Sequence, residues 1–138
     1  MINRQHLEEI LKNNFGKEVK KIEGNWFLIN ENVVRVCYSK DLGHSDYKRY
    51  FFGVQKDKYQ KYHANGVQIL YICGAFTQSF LIPSAVLDNL LKGVSVANDN
   101  NWKFDIHQMN NKFELIVTGK SHIDISSYRI QLNSSINS

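Results

Sequence analysis

Short apolar runs broken by hairpin-length polar connections constrain this chain more than any other feature. Asn25 to Ile29 and Val33 to Tyr38 flank Asn30-Glu31-Asn32. Val67 to Cys73 and Ser79 to Ile82 flank Gly74 to Gln78, and Trp102 to Met109 and Phe113 to Gly119 flank Asn110-Asn111. β-branched and aromatic residues dominate the runs, and turn formers fill the breaks. Strands joined by so few residues pair antiparallel, because a parallel neighbour needs a crossover of about a dozen residues or more. The expected fold is therefore mainly β: an antiparallel, partly open barrel with short helices plugging its ends.

The helices follow from a different period. Asn3 is placed to cap a helix with Leu7, Ile10 and Leu11 on one face, ending near Phe15-Gly16, where glycine suits a left-handed cap. Lys56 to Ala64 reads as a second helix, with Tyr59, Tyr62 and His63 on one side. Pro83-Ser84 opens a third, with Ser84 as N-cap and Leu87, Leu90 and Leu91 facing inward. At 138 residues and 43% hydrophobic, the chain has room for one domain around one core. That domain is expected over 1–132, with an N-terminal helical part at 1–18 and the polar 133–138 as a flexible tail or linker.

Cys37 and Cys73 lie inside apolar runs, where a thiol behaves as a small buried hydrophobe, and two such residues make neither a disulfide framework nor a zinc spacing. The five histidines show no i, i+4 ligand pair, so no metal or other cofactor is expected. The N-terminus lacks a basic stretch followed by an apolar one, and no run approaches bilayer length; a cytoplasmic, reducing location is the expectation.

The formal charge of +4 permits an anionic partner without demanding one. Its distribution is more informative. Between Lys40 and Lys61 six cations (40, 48, 49, 56, 58, 61) face three aspartates (41, 46, 57), an excess of +3. Within this stretch a polar loop carrying Lys40, His44, Ser45, Lys48 and Arg49 runs directly into the apolar strand Tyr50 to Gln55, so its donors are held on a core-anchored scaffold. The hairpin at 102–118 has a similar character. Trp102, Phe104 and Ile106 face one way with Phe113, Leu115 and Val117, while Lys103, Asp105, His107 and Glu114 face the other, and Gln108, Asn110, Asn111 and Lys112 form the tip. Amide side chains offer a donor and an acceptor together, and lysine reaches guanine or phosphate.

The segment Asp41-Leu42-Gly43-His44-Ser45-Asp46-Tyr47-Lys48-Arg49, followed by a strand and a Lys-rich helix, resembles the first DNA-contacting arm of B3 domains (39–50 here). The hairpin from Trp102-Lys103-Phe104-Asp105-Ile106-His107 to Phe113-Glu114-Leu115-Ile116-Val117-Thr118-Gly119 is similar to their second arm. The resemblance spans about Ser39 to Arg129. It implies an open seven-stranded antiparallel β-barrel, a pseudobarrel that grips the DNA major groove between two arms like the jaws of a wrench. It also implies the role of target-recognition domain in a bacterial restriction-modification system. By context rather than by any residue, the comparison extends to the N-terminal domain of a LlaJI-type, McrB-like subunit, fused to or associated with a GTP-dependent motor domain and a nuclease subunit. The resemblance assigns DNA contacts to Lys40, His44, Ser45, Lys48 and Arg49 on the first arm and to Lys103, Asp105, His107, Gln108, Asn110, Asn111 and Lys112 on the second. Lys56, Lys58 and Lys61 are added as phosphate contacts. Asp105 stands where the family often has a cation and is suited to accept from cytosine N4. Arg49 is expected to brace its own loop through Asp46.

Two rivals use other residues. Asp46-Tyr47-Lys48 with Asp41 imitates part of a metal-dependent nuclease site, but in a loop rather than on a core strand, and the isolated glycines offer no phosphate-binding loop. No catalysis is therefore expected of this chain. A protein-interaction barrel displaying Phe76 and the tyrosines is the other alternative.

Overall fold

The run Gln68–Cys73 sits at the centre of the molecule. In the computed structural model, which describes residues 4–16, 18–43 and 46–133, it is a strand with Ile69 to Cys73 all buried. Strand geometry sends alternate side chains to opposite faces. Ile69, Tyr71 and Cys73 accordingly join one apolar cluster, while Leu70 and Ile72 join another. A strand covered on both sides needs a layer above and a layer below, and the rest of the chain supplies them.

The strands are β1 (Val19–Glu23), β2 (Trp26–Ile29), β3 (Asn32–Ser39), β4 (Lys48–Gln55), β5 (Gln68–Cys73), β6 (Ser79–Pro83), β7 (Asn101–Met109), β8 (Lys112–Ile116), β9 (Ile123–Asp124) and β10 (Arg129–Ile130). They form a six-stranded sheet ordered β1-β2-β3-β5-β6-β10 and a four-stranded sheet ordered β4-β7-β8-β9. Helix α1 (Arg4–Phe15) packs Leu7 and Leu11 against Phe27, Val34, Val36 and Leu70 on one face of the larger sheet. The smaller sheet covers the other face with Phe52, Val54, Trp102, Phe104 and Leu115. Helices α2 (Lys56–Tyr62) and α3 (Ser84–Leu91) seal the end where β4 finishes and β7 begins, through Tyr59, Leu87, Leu90 and Leu91.

The three hairpins form where the breaks place them. In the first, Asn30 and Glu31 both adopt positive φ (49° and 75°), a two-residue turn whose twist matches the strands, and Asn32 already pairs with Ile29. In the third, Asn110 takes the left-handed position at φ 54°. Gly16 ends α1 at φ 95°, its N–H donating to the Lys12 carbonyl at 2.8 Å. Asn3 lies outside the described residues.

Three features depart from the sequence expectations. The strands divide between two sheets, and one neighbouring pair, β3 with β5, is parallel. The crossover that permits it contains the first arm, β4 and α2, elements that read singly as pieces of an antiparallel meander. β1 also has no counterpart in the expected layout; it is a Lys-bearing edge strand whose burial is confined to Val19, with Ile22 exposed. Finally, Ser84 is not an N-cap. β6 runs extended to Pro83 (ψ 157°), which takes the cap position with no side-chain bond, and Ser84 is the first helical residue.

Candidate nucleic-acid interface

The first arm begins where Ser39 leaves the sheet. Its hydroxyl donates to the Lys40 carbonyl at 2.8 Å and accepts the Phe51 N–H at 3.0 Å, clamping both ends of the excursion. Asp41 Oδ1 then accepts N–H groups from Gly43 (2.9 Å) and Arg49 (3.1 Å), and Leu42 N–H donates to the Arg49 carbonyl (2.7 Å). Those two backbone donors, Gly43 foremost, hold the Asp41 carboxyl below its ordinary range. The loop is folded so closely that a Cβ on Gly43 would lie 2.3 Å from the Tyr47 carbonyl oxygen and 2.8 Å from the Arg49 nitrogen. Only glycine fits there.

The second arm is the β7–β8 hairpin, and β4 pairs with β7 along their whole length. Lys48 lies across from Gln108 and Arg49 across from His107. The two arms therefore share a base, and their tips project from the same edge. Between them is a cleft of about 320 Å³ lined by Asp41, Asp46, Tyr47, Lys48, Gln108, Asn110 and Asn111. The Tyr47 and His107 rings meet at 5.1 Å beside it, joining the arms through an aromatic contact.

Of the residues named from sequence, Lys48, Gln108, Asn110 and Asn111 come together in this cleft, and His107 reaches it through Tyr47. Lys40 and Lys48 are exposed and carry no ion pair among the described residues. Lys112 is exposed at the hairpin tip, 3.7 Å from Glu114. His44 and Ser45 lie outside the described residues. Arg49 does not brace the loop through Asp46: its Nε donates to Asp105 Oδ1 at 2.7 Å across the β4–β7 pair, because residues 49 and 105 sit on the same outer face at nearly opposed positions. Asp105 is thereby engaged, and the two charges offset each other. Phe51, one step further along that face, has the Arg49 guanidinium at 5.4 Å and the Lys103 ammonium at 6.0 Å from its ring centre.

The remaining cations sit towards the other end of the smaller sheet. Eight residues of β4 separate the ends by roughly 24 Å at about 3.4 Å per residue. Lys103 is held by Asp99 at 2.6 Å. Lys56 lies over the Trp102 ring. Lys58 (2.8 Å) and Lys61 (3.5 Å) converge with the Tyr62 hydroxyl on Glu23, whose carboxyl they depress to about 2, Lys58 contributing most. These lysines therefore tie α2 to β1.

Sequence reasoning missed Asp46 and Tyr47 as cleft walls, and treated Asp41 as a stray carboxylate when it is the organiser of the loop. The Asp41-x-Gly43 spacing was the available signal, since a side-chain oxygen that accepts an N–H two residues on marks a local turn. Both cysteines are buried and free, and burial raises both thiols. Phe76 is half-buried against the α1-side cluster, and Tyr50, Tyr59, Tyr62 and Tyr71 belong to the core, while Tyr38 and Phe51 remain exposed. No group of three or more His, Cys, Asp or Glu among the described residues is arranged to hold a metal ion, and no described helix is long and apolar enough to cross a membrane.

A larger cleft of about 440 Å³ opens between α2 and α3, lined by Tyr59, His63, Asp88, Leu91 and Trp102 among others. The side-chain polar atoms of Tyr59, His63, Asp88 and Trp102 there already have partners, while those of Gln60 and Lys92 have none among the described residues. Asp88 accepts from the Tyr59 hydroxyl at 2.7 Å and meets His63 Nε2 at 2.7 Å, and the Trp102 indole N–H donates to the Val94 carbonyl. In the smaller inter-arm cleft the side chains of Lys48, Gln108, Asn110 and Asn111 have no hydrogen bond or ion pair among the described residues. No family model, curated protein or solved structure matches the chain.

Proposed function

We propose that this chain reads double-stranded DNA sequence-specifically through the major groove, using the loop at 41–48 and the hairpin tip at 108–112 as one two-pronged element. The observation that carries the reading is the convergence of two polar segments, about 60 residues apart in sequence, on one edge of the smaller sheet, with unpaired Lys48 and three amide side chains between them. A groove about 12 Å wide admits a two-stranded ribbon, so the hairpin enters with the loop at its flank. Amides then meet base edges, while Lys40, Lys48 and Lys112 meet phosphates.

On this reading the two sheets are the halves of an open barrel of the B3 kind, and the chain is the target-recognition part of a cytoplasmic restriction-modification system. GTP hydrolysis and cleavage belong to partner domains or subunits, and this chain binds without catalysing. The test is selection from a random duplex pool followed by titration against salt. A defined site should emerge, and Lys48→Ala should lower the salt slope by about one unit while leaving the selected site unchanged. Binding that never discriminates among duplexes, or magnesium-dependent cutting by the chain alone, would remove the proposal.

A further inference from the structure

Three buried polar side-chain atoms among the described residues have no hydrogen-bond partner: Tyr71 Oη, Asn101 Oδ1 and Gln108 Oε1. Tyr71 is sealed in the core, and Asn101 sits at the α2 end with its Nδ2 on Asp99. Gln108 alone lines the inter-arm cleft. Alternation along β7 turns its side chain to the face of Phe104 and Ile106, and at the strand end that face leaves the core and opens between the arms. Neighbouring polar side chains of the strand are engaged, Lys103 with Asp99, Asp105 with Arg49 and His107 with Tyr47. The Gln108 amide has no hydrogen bond at either end.

A covered carbonyl without a donor is a cost that the free protein carries. Swinging the amide into the cleft breaks no bond, and a ligand that supplies both a donor and an acceptor recovers that cost. Among the major-groove edges, adenine places an N6 donor beside the N7 acceptor. Guanine shows two acceptors, cytosine one donor, and thymine an acceptor beside a methyl group. We infer that Gln108 is the specificity-determining residue for one adenine of the recognised site, Oε1 accepting from N6 and Nε2 donating to N7. The assignment rests on the duplex-DNA reading above and goes beyond it by naming the base.

The test uses the site selected by the unaltered chain. At one adenine, 7-deazaadenine (no N7) and unsubstituted purine (no N6 amine) should each weaken binding. Gln108→Met should abolish the preference at that position alone, a loss on the order of 5- to 150-fold against the best competing base. Gln108→Glu, an acceptor only, should move the preference there to cytosine. A thermal melt no lower than that of the unaltered chain accompanies Gln108→Met, since an orphan acceptor is removed. If Gln108→Met changes no position, or changes one that is not adenine, the assignment is overturned while sequence-specific DNA reading stands. If the unaltered chain selects no site, the reading beneath it has failed instead.

Discussion

Tyr71→Phe should stabilise this protein, although it deletes a polar atom from the middle of the core. Tyr71 is fully buried, its ring packed edge-on against Phe52 at 4.9 Å and against Phe104 at 5.6 Å, with Cys37 directly across on β3. Its hydroxyl has no partner, and burial pushes its ionisation far above the ordinary phenol range. Leaving such a group unsatisfied costs about 1–3 kcal/mol. The opposing effect is the void left by one oxygen, roughly 10 Å³, which at about 24 cal/mol per Å³ costs about 0.2 kcal/mol. Relief wins by about 1–2.5 kcal/mol. With an unfolding entropy near 2.1 cal/mol/K per residue over 138 residues, each kcal/mol is worth about 3.5 °C, so the melting temperature should rise by about 3–9 °C. Calorimetry gives the shift, and urea titration should show a higher midpoint with an unchanged slope. A loss of 1 kcal/mol or more would mean that the hydroxyl is bonded, and the reasoning about orphaned groups would fail for Gln108 as well.

Other predictions concern the scaffold of the interface. Glu23 has its folded-state value depressed to about 2 from 4.5, so its contribution is complete above about pH 4.5 and is lost as pH falls towards 2. Thermal melts of Glu23→Gln and the unaltered chain should therefore differ at neutral pH and converge near pH 2; a gap that stays constant across that range would contradict the Lys58–Glu23–Tyr62 hub. Gly43→Ala should displace the loop, because its Cβ meets the Tyr47 carbonyl at 2.3 Å, and DNA binding should fall while the melt changes little; unchanged affinity would show that the loop is not a reading element. For Arg49 and Asp105, each about a third exposed, a double-mutant cycle on stability should give a coupling of about 0.5–1 kcal/mol. Arg49→Ala should weaken DNA binding by baring Asp105, and adding Asp105→Asn should recover part of it; no recovery would place Arg49 directly on DNA.

Local chemistry was legible in the sequence and long-range pairing was not. Asn30 and Asn110 announce their turns because left-handed backbone at a tight connection favours asparagine, and the alternation from Trp102 to His107 identifies which side of β7 is wet. A run such as Gln68–Cys73 is ambiguous by its nature: a strand buried on both faces shows no alternation, so neither its central place nor its parallel partner can be deduced. For the candidate interface, the two segments that line the cleft stand out by their polarity. What each residue does there depends on its neighbour across the sheet. Arg49 finds Asp105 through a register that no spacing reveals, and Gln108 is left alone because its strand outlasts the core that its face had been filling.

The parallel pairing of β3 with β5 has a kinetic consequence. Those strands become neighbours only after the intervening loop, β4 and α2 have been gathered out of the way, and β4 must still wait for β7, which begins almost fifty residues after β4 ends. Ring closures of this span are slow relative to local turns. The two prongs should therefore be brought together late in folding, after the local hairpins, the β7–β8 prong among them, have formed. A chain caught short of completion would hold much of its secondary structure and yet lack the cleft between the arms.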